Sequence, residues 1–223
     1  MERAPAALDH ALTAPHRPGA ILHNCNGTAR PHLGAMTHLS IHTRDGWPDE
    51  AATLLAQYPR DAWPDHPNFA RSIDNWMGAH QGFRQLGRIV AAETEAYLDR
   101  RIGAEDYAPR LSRYGDLLVR NLHGHHTWED RSFFPEIRAA DRRFDQGLET
   151  LESDHGVLDQ TIERLTREAN RVLKLTQLDE PQARTEAGGL HDTATRIEAF
   201  LQRHLTDEED LIVPILLHHK MRG

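Results

Sequence analysis

One cysteine in 223 residues, Cys25, rules out an internal disulfide. Without a Cys-x-x-Cys pair there is also no thiolate zinc site and no thiol exchange. Any bound metal must therefore be held by nitrogen and oxygen. Long apolar runs are missing too: none approaches the roughly 18 residues of a spanning helix, and the mean hydropathy is -0.65, so a membrane protein is not expected. Nor is there a basic excess. The chain has 26 Lys+Arg against 34 Asp+Glu, for a formal charge of -8, and a sequence-independent grip on phosphate backbones needs a basic face. Nucleic acid is therefore not an expected partner. The first residues lack the cationic start and apolar stretch of a signal peptide, which makes the cytoplasm the expected location. What the sequence has in quantity is histidine, 16 residues of it, the side chain that ligates metals and carries protons near neutral pH.

Residues 1–35 hold Pro5, Pro15, Pro18 and Pro31, only two acids (Glu2 and Asp9), and no sustained helical or strand period. They read as a flexible tail, or as a misassigned start, since the patterned sequence begins after Met36. On that reading His10, His16, His23 and His32 are tail residues and Cys25 is a spare thiol. Residues 36–66 are rich in punctuation (Gly46, Pro48, Pro59, Pro64), with a short helix expected at about Asp49 to Tyr58. Trp47 and Trp63 would anchor this arm on the main domain, expected over 67–220.

In that domain four segments place apolar residues three and four apart, the stripe of amphipathic helices facing a bundle; strand alternation is absent. They run at about Asn68 to Ile102, Glu105 to Phe134, Phe144 to Leu175 and Pro181 to His218. Breakers separate them: Gly103, Pro135 with Asp141 to Arg143, and Asp179-Glu180-Pro181. The expected fold is all-α, an up-down-up-down antiparallel four-helix bundle with an irregular N-terminal arm. Each stripe carries one histidine (His80, His125, His155, His204), and two carry a glutamate one turn on (Glu129, Glu208).

Short connections make neighbouring helices antiparallel, so residues equidistant from a turn lie at one height. The midpoint of His80 and His125 falls on Ile102-Gly103, that of His125 and His155 on Ala140, and that of His155 and His204 between Asp179 and Glu180. All three midpoints land on turns chosen on other grounds. One histidine on an apolar face is commonly a satisfied core residue. Four imidazoles and two carboxylates at one interior level are costly unless a cation joins them, because each unpartnered polar group costs about 1–3 kcal/mol against a total stability of about 5–15. Imidazole and carboxylate donors without thiolate suit iron, manganese or zinc, and Glu129 and Glu208 can each bridge two metals, as inward carboxylates do in bundle dimetal sites.

A repeat supports this assignment: His125-x3-Glu129-x5-Pro135 and His204-x3-Glu208-x5-Pro214 share their spacing. Among His123, His125 and His126, only His125 has both the Glu and the Pro at these distances. His126 with Asp130 is the competing pair. Trp76 and Phe83 read as packing, and Arg84 as a solvated end or a partner for a ligand carboxylate.

The segments Gly78-Ala-His80-Gln-Gly-Phe-Arg84, His125-His-Thr-Trp-Glu129-Asp-Arg-Ser-Phe-Phe-Pro135, Ser153-Asp-His155 and His204-Leu-Thr-Asp-Glu208-Glu-Asp-Leu-Ile-Val-Pro214 together resemble the hemerythrin-like HHE cation-binding family. The likeness covers about Asn68 to His218. It implies two non-haem irons bridged by Glu129 and Glu208, one iron taking His80 and His125, the other His155 and His204. Oxygen-carrying hemerythrins place a second histidine one turn after the third-helix ligand; here that position is Asp159. Asp159 is read either as a metal ligand or as the acceptor for a ligand histidine N–H.

The sequence supplies no acid–base pair outside the ligands, so the first functional expectation is a binding protein for oxygen, nitric oxide or a related small oxidant, serving sensing, storage or scavenging. Alternatives are a di-iron enzyme that reduces peroxide or nitric oxide, to which an oxygen-rich site with Asp159 would be suited, and a structural bundle with a single zinc.

Overall fold

The computed structural model describes residues 40, 41, 43, 44 and 46–222. The expected tail over 1–35, with Cys25 and its four histidines, lies outside the described residues. Gly46 at φ 97 turns the chain ahead of α1 (Asp49–Gln57), which has Asp49 and Glu50 in its first turn, where the helix dipole favours acids. A short 3-10 turn at Arg60–Ala62 leads to α2 (Arg71–Leu98). Arg100, in the left-handed region at φ 60, closes α2, and extended Gly103 opens α3 (Ala104–Trp128). A single π-helical turn, Glu129–Phe133, carries α3 into α4 (Phe134–Ala140).

Asp141 breaks this run with an extended backbone and caps the next turn by accepting from the Arg143 N–H. Then come α5 (Asp145–Leu178) and α6 (Glu180–His219), separated by Asp179 alone, whose side chain accepts from the Gln182 N–H. Pro181 sits in the first turn of α6, where its missing N–H costs nothing. The domain is an all-helical bundle. Its long helices pack α2 against α3 and α6, and α5 against α3 and α6, while α1 lies on α6. Among the described residues no helix is long and apolar enough to cross a membrane.

The apolar interior is divided in two. Phe83, Tyr97, Leu111, Leu122, Leu158, Ile197 and Leu201 belong to one cluster. Trp63, Trp76, Phe133, Phe134, Leu151 and Leu211 belong to the other. Every long helix changes cluster across its polar seam residue: Trp76 to Phe83 around His80, Leu122 to Phe133 around His125, Leu151 to Leu158 around His155, and Leu201 to Leu211 around His204. A polar layer cuts the core at that level.

Candidate metal centre

Helix α2 brings His80 into this layer, fully buried, with Trp76 one turn before it. The end of α3 brings two adjacent imidazoles. His125 lies near His80 and Phe83, with ring centroids 5.0 Å from each, while His126 stacks on His155 of α5 at 4.0 Å and 10°. Successive helical residues diverge by about 100°, and α3 sits between α2 and α5, so each of the two rings finds a different neighbour. The π turn then presents Glu129, fully buried, and is closed by the Phe134 N–H donating to the Glu129 carbonyl. Pro135 follows directly; it donates no hydrogen bond and crowds the carbonyl four residues back, so one extra residue in the turn relieves that contact. Helix α6 completes the layer with His204 and Glu208, both fully buried.

The ligand atoms fall into two groups, His80, His125, Glu129 and Glu208 in one and His126, His155 and His204 in the other, each group within 4.8 Å internally. The carboxylates lie between them. Glu129 has Oε1 2.9 Å from His125 Nε2 and Oε2 3.8 Å from His155 Nε2. Glu208 has Oε2 3.5 Å from His80 Nε2 and 3.9 Å from His204 Nε2.

Outer carboxylates set the ring orientations. His80 Nδ1 meets Glu209 Oε1 at 3.0 Å, His155 Nδ1 meets Asp130 Oδ1 at 2.8 Å, and His204 Nδ1 meets Asp154 Oδ2 at 3.3 Å. Each Nδ1–H is thereby used, and each Nε2 lone pair points inward. Trp76 Nε1 donates to Glu129 Oε1 at 2.8 Å, and Arg84 Nη1 donates to Glu209 Oε1 at 3.0 Å.

The layer is short of hydrogen-bond partners. Both ring nitrogens of His126, Nε2 of His155 and of His204, Oε2 of Glu129 and both oxygens of Glu208 are buried and have none among the described residues. His80 Nε2 and His125 Nε2 face each other at 3.0 Å. At about 1–3 kcal/mol for each unpartnered atom, such an arrangement is not retained for packing. Cations between the two groups would satisfy these lone pairs together, so the donor set fits a metal pair.

The electrostatics agree. Burial, reinforced by the neighbouring His155 and His204 rings, drives His126 well below the usual histidine range. Burial lowers His204 to about 4 against the opposing pull of Asp154, and lowers His80 against that of Glu209. These imidazoles are held neutral, as ligation requires. Burial and the neighbouring Glu129 push Glu208 well up. For Glu129 burial acts upward too, but the hydrogen bond from His125, with the neighbouring His155 and His80 rings, outweighs it and holds the group at about 2.

The family model that matches the chain is that of the hemerythrin HHE cation binding domain, over residues 71–216. The chain belongs to this hemerythrin family. No curated protein and no solved structure matches it. The hemerythrin match starts at the first residue of α2 and stops within the last turn of α6, so it contains every residue of the layer but not α1 or the arm.

Six of the seven sequence-predicted positions of this hemerythrin domain, His80, His125, Glu129, His155, His204 and Glu208, come together. Asp159 does not: it is half-buried and belongs to neither group. One turn beyond His155 on α5, it is displaced along the helix from the layer, and Asp130 takes the His155 N–H instead. The fifth imidazole comes from α3. His126 and Asp130, read in the sequence as a rival to His125 and Glu129, both enter the centre beside that pair. Trp76, read as packing, also hydrogen-bonds a carboxylate of the layer, and of the two readings of Arg84 the carboxylate partner replaces the solvated end, on the outer carboxylate Glu209. Asp154 and Glu209 were not singled out by sequence; each adjoins a seam residue in the chain and only a neighbouring helix reveals its role.

Proposed function

We propose that this layer holds two iron ions spanned by Glu129 and Glu208, inside an up-down-up-down ring of α2, α3, α5 and α6, and that the protein binds dioxygen, nitric oxide or a related small oxidant for sensing, storage or scavenging. The observation that carries this reading is the position of the two glutamates, each within 4.0 Å of imidazole nitrogens from both groups. A single zinc takes about four donors in a closed tetrahedral site, and the two groups offer seven. When bound, an iron pair supplies redox-active Lewis acids with a coordination place left over for a small ligand.

The unequal donor counts support placing it on one side. His126, His155 and His204 give three imidazoles, whereas His80 and His125 give two, so with both carboxylates shared the His80 side has fewer protein donors. His125 is also the one imidazole of the layer that is not fully buried, at 9% side-chain exposure. Phe83 and Trp128 flank its ring at 5.0 and 6.4 Å, forming an apolar entrance suited to a small neutral molecule and poor for ions. The exchange at Asp159, which favoured turnover, lies outside both groups, and this supports binding over reduction.

The test is an iron count on aerobically purified protein together with its absorption spectrum. Two irons per chain with near-ultraviolet charge-transfer bands are expected; one zinc and no such bands would overturn the reading. Steady-state assays with peroxide and nitric oxide distinguish the enzyme, through turnover above that of free iron that is lost in His155→Ala.

A further inference from the structure

The arm ahead of the family domain reaches the metal layer twice. Arg44, with 1% of its side chain exposed, makes an ion pair from Nη2 to Asp154 Oδ2 at 2.7 Å, and Asp154 Oδ2 in turn meets His204 Nδ1 at 3.3 Å. The same guanidinium donates from Nε to Asp207 Oδ2 at 2.7 Å, on the α6 turn that carries Glu208. Its backbone is fastened as well: Arg203 Nη2 donates to the Arg44 carbonyl at 2.7 Å, and Trp47 Nε1 donates to the Asp207 carbonyl at 3.0 Å. Sixteen residues on, Arg60 repeats the device on the other group. Its Nη1 donates to Glu209 Oε2 at 2.9 Å, and Glu209 Oε1 meets His80 Nδ1 at 3.0 Å. Arg60 Nη2 also donates to the Thr206 carbonyl at 2.8 Å. His204 belongs to one ligand group and His80 to the other.

We propose that the N-terminal arm is a clamp on the metal centre, in which Arg44 and Arg60 are positioning residues, each fixing the carboxylate that orients one ligand histidine, one arginine per metal position. The inference rests on the dimetal reading above. Its physical basis is that an outer carboxylate sets both the direction and the basicity of the imidazole it accepts from, and an arginine fork is a stiff way to hold that carboxylate. The two links are unequal. Asp154 has Arg44 as its arginine, whereas Glu209 is shared between Arg60 and Arg84, so Arg44 carries the larger effect. Coupling is reciprocal: if the docked arm tightens the metal positions, metal tightens the docked arm.

The metal-free full chain is titrated with cobalt(II), whose absorption differs between a three-imidazole and a two-imidazole position, in competition with a chelator. Arg44→Gln is expected to weaken the three-imidazole position by about 10–100-fold, with partial recovery in Arg44→Lys. Arg60→Gln is expected to weaken the two-imidazole position by a smaller factor. Arg101→Gln, which breaks exposed ion pairs at a turn outside both groups, serves as the control and should match the unaltered chain. Hydrogen exchange of the unaltered chain gives a second readout that needs no substitution, and decides the matter should Arg44→Gln fail to fold. Amides of residues 47–63 should exchange more slowly with cobalt bound. Two cobalt equivalents at unchanged affinity in both glutamine variants, or arm exchange indifferent to cobalt, would overturn the clamp and leave the dimetal reading intact. No cobalt uptake by the unaltered chain would overturn the dimetal reading itself, and the clamp with it.

Discussion

His125 and His126 are neighbours in the chain and face different halves of the same layer, because α3 lies between the helices that carry His80 and His155. If both are donors and Asp159 is not, His126→Ala should lower the metal count per chain, whereas Asp159→Ala should leave it unchanged; elemental analysis of the two variants decides. The depressed histidines also give the metal-free protein a definite pH response. An unfolded histidine takes up its proton near 6.5, but His204 in the folded chain does so only near 4, and burial holds His126 well below the usual histidine range too. Between those values the unfolded state binds more protons, so stability falls as pH drops from about 6.5 towards 4. His204 alone contributes about 3 kcal/mol to this loss, to be read from denaturant midpoints of the metal-free chain across that range; a flat profile would contradict the burial argument. Six positions of the layer were legible because each lies on an apolar stripe. Asp154 and Glu209 were not, and Asp130 was read only as a rival ligand with His126, because each adjoins a seam residue, about 100° around its helix, where periodicity alone assigns solvent.

The helices follow from local rules more closely than the site does. The expected segments and the observed α2, α5 and α6 agree within a few residues at each end, since breakers and caps act on the nearest turn. Asp179 shows how little is needed: one residue separates two long helices, and its carboxylate caps the second. Asp179→Ala should destabilise the protein by about 1 kcal/mol, lowering the thermal midpoint by about 2–4 °C for a chain of this size, with metal content unchanged because the cap lies remote from the layer. The His-x3-Glu-x5-Pro repeat gave the ligands but not the backbone. The copy ending at Pro135 opens into a π turn, while the copy ending at Pro214 stays α-helical. The two copies differ in what encloses them. The residues leading into and past Pro214, Leu211 to Leu217, are buried without interruption, whereas α4 ends within six residues of Pro135 and keeps an exposed face.

For the molecule as a whole, the polar layer is a weak plane between two apolar clusters that metal turns into a joint. Chelation at neutral pH should therefore lower the thermal midpoint, and restoring iron should recover it, since a ligand that binds only the folded state adds stability by mass action. An unchanged midpoint would mean that the metal is peripheral. Composition and periodicity determined by themselves that the chain folds into helices, that those helices share one polar level, and that nitrogen and oxygen would be the donors there. Such properties are carried by residues three and four apart on one helix or by the absence of residue types, and a sequence records both directly. Tertiary structure alone decided that both adjacent histidines count, His125 in one group and His126 in the other, replaced Asp159 by Asp130 as the partner of His155, and brought Arg44 and Arg60 to the carboxylates behind His204 and His80. Those contacts join residues 25 to 149 positions apart, and they depend on the rotation and height of one helix against another, which no local pattern encodes.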